Sequence, residues 1–115
     1  MSVNLAGSLS STGMHVAAKR LQAASHNVAN LNTDGFQSVE TVQQTLPSGG
    51  ATAYVRETGD SSPMIWRSGE LVVGSNTDLV RESVNQITAL ASFRANAAAF
   101  RASDEMVGSL LEILA

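Results

Sequence analysis

The chain has 115 residues, seven of them basic and ten acidic, a net charge of −3 and no cysteine. That length allows one domain. The few scattered Lys and Arg leave no nucleic-acid footprint, and without Cys there are neither disulfides nor thiolate metal sites. Apolar residues make up 43% of the chain. Much of that is alanine, and the only aromatics are Phe36, Tyr54, Trp66, Phe93 and Phe100. Helix seams lined with Ala and Leu are therefore expected rather than a bulky core.

Residues 4 to 31 contain no Pro. Met14, Ala17, Leu21, Ala24, Val28 and Leu31 recur at alternating spacings of three and four, which is a heptad seam. Leu5, Leu9 and Val16 lie off that seam and widen the apolar face. Gly7 and Gly13 each weaken the first turns by about 1 kcal/mol relative to Ala, so the first dozen residues are expected to be mobile without a partner. Lys19, Arg20 and Gln22 fall on the outer face. The opening Met1-Ser2-Val3-Asn4-Leu5 lacks the basic and apolar regions of a signal peptide, and none is expected. No run approaches the length of about eighteen apolar residues that a membrane span needs.

The stretch Ser25-His26-Asn27-Val28-Ala29-Asn30-Leu31-Asn32-Thr33-Asp34-Gly35-Phe36 ends this helix. Three Asn in six residues favour backbone capping over helix interior, and Gly35 suits a left-handed residue just past a helix end. Phe36 then re-enters a core. Residues 37 to 74 hold both prolines, Pro47 and Pro63, and most of the glycines. Ala51 to Thr58 reads as a strand, as the moderate alternation and the bounding Gly50 and Gly59 suggest. Met64–Arg67 and Glu70–Val73 flank Ser68-Gly69 and can pair as a hairpin.

Residues 75 to 114 are again free of Pro. Asn76 or Thr77 can cap the start of a second helix, and Asp78 and Glu82 suit its dipole. Ser75 with Asp78 also has capping-box spacing. The seam then runs Leu90, Phe93, Ala97, Phe100, Asp104, Val107, Leu111 and Leu114, preceded by a shifted stripe of Val80, Val84, Ile87 and Ala91. A helix of roughly 38 residues is about 57 Å long, whereas a compact globule of this size has a radius of gyration of about 13–14 Å. An elongated rod is expected unless a loop breaks the helices. The fold class is mainly α: long N- and C-terminal helices pairing as a coiled coil, with a small β element between them. One structural unit is expected, divided into residues 1–36, 37–74 and 75–115.

No catalytic constellation emerges. His15 and His26 are about three turns apart on one helix, too far to share a metal without outside ligands. Asp104, Glu105 and Glu112 read as a solvated face. There is no nucleophile elbow and no phosphate-binding glycine motif. No cofactor and no metal are expected.

The Asn-rich stretch resembles the Ser-Asn-Asn-Ile-Ala-Asn-x-Asn-Thr-x-Gly-Phe pattern of the bacterial flagellar axial proteins, the rod, hook and hook-associated proteins. Ser75-Asn76-Thr77-Asp78-Leu79-Val80 with Ala91-Ser92-Phe93-Arg94-Ala95-Asn96, and Ser103-Asp104-Glu105-Met106, resemble that family's C-terminal wording. The short middle resembles a proximal-rod component more than a hook protein. Departures are His26 for the usual Asn, Arg81 and Ser83 for Glu and Met, and Arg94 for an acidic residue or Gln.

The resemblance implies a structural, non-enzymatic subunit of the basal-body rod in the periplasm, exported unfolded through the flagellar type III apparatus without a cleaved signal. Its partners would be copies of itself, other rod proteins and the export apparatus, with neither nucleic acid nor membrane insertion. It implies an assembly motif of Asn27, Asn30, Asn32, Thr33, Gly35, Phe36, Asn76, Asp78 and Asn96. The helix seam would be Met14, Leu21, Val28, Leu31, Leu90, Phe93, Phe100, Val107 and Leu111. A soluble coiled-coil adaptor or export cofactor that binds a rod or hook protein is the rival reading. A wall-cutting enzyme is weaker, because retaining or inverting hydrolysis needs two facing carboxylates and Glu57, Asp60 and Glu70 show no pairing.

Overall fold

Helix α1 spans Ser2–Ala29, an uninterrupted stretch without Pro. The computed structural model describes residues 2–114, with side chains from Leu5 onward. Two hairpins follow. β1 (Val39–Thr45) pairs antiparallel with β2 (Ala51–Glu57), in a register running from Val39↔Glu57 to Thr45↔Ala51. β3 (Met64–Arg67) pairs with β4 (Glu70–Val73), Met64 opposite Val73 and Arg67 opposite Glu70. Helix α2, Leu79–Leu114, closes the chain.

The β3–β4 hairpin has the two-residue turn expected of Ser68-Gly69. Both residues have positive φ, 53° and 84°, the primed geometry whose twist matches the flanking strands. The β1–β2 hairpin lies along α1. Lys19 Nζ donates to the Ala53 carbonyl at 2.7 Å, Arg20 to Gln43 Oε1 at 2.8 Å, and Thr12 Oγ1 accepts from the Ala51 amide at 3.3 Å. Gly50 is needed at the tip, since its φ is +81° and a Cβ there would stand 2.9 Å from Thr12 Oγ1.

The two helices pack antiparallel. Gly7 faces Ser103 and Phe100, Gly13 faces Asn96, and Gln86 bonds Ser25 at 3.4 Å. The molecule measures 76 × 24 × 15 Å with a radius of gyration of 19.7 Å, the rod shape that the helix lengths require. The first turns of α1 are helical from Ser2, with Gly7 in ordinary contact with α2.

The line of contact differs from the expected seam. On α1 the buried residues include Ser10, Ala17 and Ala24, seven apart. On α2 they are Glu82, Ala89 and Ser103, with half-buried Asn96 completing the same seven-residue series. Small side chains let the helix backbones approach closely, and the large ones are displaced to the flanks. Leu90, Phe93, Phe100 and Leu111 are 40, 40, 44 and 62% exposed, and Val107 is half-buried. On α1, Met14 and Val28 are half-buried and Leu21 is exposed, and Leu31, just past its end, is half-buried. The last turns of α2 run past the start of α1, leaving Ile113 and Leu114 exposed.

Gly13 sets the spacing. A Cβ there would lie 2.6 Å from Asn96 Cγ and 2.7 Å from its Nδ2, whereas at Gly7 the nearest atom is 3.5 Å away. Ala gains about 1 kcal/mol of helix propensity over Gly, but overpacking costs about 1–3 kcal/mol. Gly7→Ala is therefore expected to raise the denaturation midpoint and Gly13→Ala to lower it. Combining Gly13→Ala with Asn96→Ala should recover the loss; an unchanged deficit in the double variant would show that the contact with Asn96 is not its cause.

Candidate functional site

The point where α1 hands the chain to β1 is closed by two asparagine side chains. Asn27 is completely buried, the largest side chain to be so among the described residues. Its Nδ2 donates to the Val39 carbonyl at 2.7 Å and its Oδ1 accepts from the Val39 amide at 2.8 Å. Asn27 thus pairs with the first residue of β1 as a neighbouring strand would, and only a primary amide of this length offers donor and acceptor together. Asn76 grips the preceding residue. Its Oδ1 accepts from the Ser38 amide, and its Nδ2 donates to Gln37 Oε1 and the Asp60 carbonyl, both at 3.0 Å. Its own amide bonds the Phe36 carbonyl at 3.2 Å.

The segment between them is bonded on all sides. The Gly35 amide donates to the Val73 carbonyl at 2.8 Å, and the Thr58 amide donates to the Ser38 carbonyl at 2.9 Å. Ser38 is buried, with its hydroxyl 2.9 Å from Thr58 Oγ1. Residues 35–38 therefore join α1, both hairpins and the approach to α2.

The other motif residues have local tasks. Asn30 folds its amide back to the His26 carbonyl at 2.9 Å, closing the helix end. Thr33 donates to Asn30 Oδ1 at 3.1 Å. Gly35 is left-handed, with φ +72°, but it does not cap α1. It occupies the third position of the turn closed by the Phe36 amide on the Thr33 carbonyl at 3.2 Å, where positive φ marks a type II turn. Asn32 is exposed. Phe36 meets His26 edge to face, with ring centroids 5.3 Å apart, so the unusual histidine has a partner inside the motif.

Asp78 is the cap of α2, its Oδ1 accepting from the amides of Val80 at 3.0 Å and Arg81 at 3.3 Å. Asn76 does not cap because it holds Ser38, and Thr77 is turned back on the Ser75 hydroxyl. The expected capping box of Ser75 with Asp78 is therefore not formed. Asn96 donates to the Ser92 carbonyl at 2.9 Å and packs against Gly13. Arg81, bonded to Asp60 at 3.0 Å, has its pKa raised chiefly by that hydrogen bond, then by the charge of Asp60, with Asp78 and Glu82 adding to it. Arg56 is raised likewise by its hydrogen bond to Glu40 and then by the Glu40 charge. Both pairs are exposed, where ion pairs contribute little.

Sequence reasoning missed Ser38 and Gly13 and read Glu82 only as a favourable first-turn acid. The seven-residue recurrence of Ser10, Ala17 and Ala24 against Glu82, Ala89, Asn96 and Ser103 was the signal available for the contact line. Among the described residues, no group of three or more His, Asp or Glu is placed to hold a metal ion, and no helix is long and apolar enough to cross a membrane.

Fold and site together define an elongated helical protein that presents surface on its flanks and is clamped at one polar junction. Residues 70–113 match the family described as flagellar basal body rod FlgEFG protein C-terminal, and residues 9–37 match flagella basal body rod protein. The two matched segments meet where Asn76 grips Gln37 and Ser38. The chain is a flagellar rod family protein, a structural component of the flagellar basal body. A search of curated proteins finds no match.

Asn27 offers a direct test. Asn27→Asp sets a carboxylate oxygen against the Val39 carbonyl, and losing a buried hydrogen bond in this way costs about 2–4 kcal/mol at neutral pH. Burial raises the new carboxyl's folded pKa above its unfolded value. The variant should therefore regain stability as the pH falls and lose it as the pH rises through the raised pKa, relative to the parent. Urea denaturation at several pH values measures this; a deficit independent of pH would remove the donor–acceptor role.

Proposed function

We propose that this chain is a structural subunit of the flagellar rod that reaches the periplasm through the flagellar type III apparatus without a cleaved signal. It then assembles with copies of itself and with other rod proteins. One observation carries the reading. The contact within the chain uses small side chains, while Leu90, Phe93, Phe100 and Leu111 are left 40% exposed or more along one long helix. Apolar surface of that extent calls for a partner. In this reading the seam residues belong to contacts between subunits, where coiled-coil packing would form. Asn27, Asn30, Asn32, Thr33, Gly35, Phe36, Asn76 and Asp78 hold the hairpin junction in shape, and Asn96 sets the spacing of the helices. The three segments 1–36, 37–74 and 75–115 act as one unit.

Closure of α1 on α2 within one chain also suits a soluble adaptor, and fractionation separates the two readings. A subunit remains with purified basal bodies, whereas an adaptor washes away. Replacing both Phe93 and Phe100 with Asp, with circular dichroism as the fold control because Phe100 stands beside Gly7 of α1, tests the flank directly. It should abolish assembly and motility. Normal filaments in cells carrying the double variant would overturn the proposal.

A further inference from the structure

Between the β1–β2 hairpin and the first turns of α2 lies a cleft of about 350 Å³ whose walls include Arg20, Thr41, Arg81, Glu82, Asn85 and Thr88. Glu82 is 4% exposed, yet its carboxylate has no hydrogen bond or ion pair among the described residues. The cations beside it are committed elsewhere, Arg20 to Gln43 and Arg81 to Asp60. The other acid in the cleft, Glu40, is paired with Arg56 at 2.8 Å. Thr41 Oγ1, on the hairpin side of the cleft, is buried without a partner. The Glu82 carboxylate, lining the cleft without an ion pair of its own, is open to pairing with a cation from outside. One free carboxylate is too few for a hard divalent cation, which takes several oxygen ligands.

The complementary group lies further along α2. Arg94 and Arg101 are exposed, stand seven residues apart on α2 and make no hydrogen bond or ion pair among the described residues. They continue the line of Val80 and Ile87, which are 74 and 69% exposed, on the face turned away from α1. Arg94 lies about 18 Å along the helix axis from Glu82, so neither arginine can fold back into the cleft of its own chain. A guanidinium presents five donors in one plane and can meet a carboxylate with two of them side by side.

We propose that the Glu82 cleft receives an arginine of the Arg94–Arg101 pair from a second copy of this chain, with the guanidinium bonded to the Glu82 carboxylate. The two surfaces are different patches of the molecule, so the contact is heterologous and propagates into a ring or a helical array. This inference rests on the self-association proposed above and assigns it a site.

The test is association of the purified full chain by sedimentation velocity over a concentration series, with circular dichroism as the fold control. Glu82→Lys removes the receptor, and Arg94→Glu with Arg101→Glu removes the donor. Each should weaken association about thirtyfold or more. Mixing the two variants should restore it, because the intact cleft of one meets the intact arginines of the other. Glu82→Gln, which keeps the volume, should weaken association in the same direction and serves if Lys disturbs the fold. Variants that assemble as the parent does, or a mixture that stays dissociated, would overturn the cleft contact and leave self-association standing. A parent chain monomeric at every concentration would overturn both.

Discussion

The arrangement depends on one buried amide. Asn27 satisfies both backbone groups of Val39 from inside α1, and that fixes where β1 begins relative to the helix. A strand slipped by one residue would turn its faces over, so this pair of bonds also decides which side of the β1–β2 hairpin lies on α1. Lys19, Arg20 and Thr12 then hold the hairpin along its length. Asn76 does for the incoming α2 what Asn27 does for the outgoing α1, and the four residues 35–38 lie between them. Neither amide could be exchanged for an apolar group without stranding backbone polar atoms.

The second constraint is volume. Ala17, Ala24 and Ala89 with Ser10 and Ser103 leave little between the helices, and Gly13 with Asn96 leaves less. Packing this close contributes dispersion energy but buries few large side chains, so stability leans on the polar junction as well as on the core. The apolar groups that a compact protein would hide are carried on the flanks of α2. The same choice that closes the hairpin therefore makes it incomplete.

Much of this was legible in the residues. Helix extent, elongation and the Ser68-Gly69 hairpin follow from proline placement, length and turn chemistry. The Asn-rich stretch was recognisable as a terminus, but its partners were not, because Val39 and Ser38 carry nothing in their side chains that marks their backbones as receptors. Gly35 was placed one motif too early, since a left-handed glycine serves a helix cap and a type II turn equally well. On α1 the expected seam already held Ala17 and Ala24 of the contact line, but on α2 the line lies apart from the large apolar residues for a physical reason. Periodicity weights large apolar residues, and here the buried line is drawn by small ones. Glu82 looked like an ordinary first-turn acid because burial by a distant hairpin leaves no local trace.

The antiparallel closure has a kinetic consequence. Gly7 meets Ser103, so the ends of α1 and α2 that touch are separated by nearly the whole chain, while each hairpin joins neighbours in sequence. Hairpins form in about 1–10 μs, but contacts between the two ends must first meet the entropy of closing the longest loop available. Non-local topologies fold slowly for this reason. Closing the helices from the junction at Asn27 and Asn76 outward meets a smaller loop entropy than closing them from their far ends.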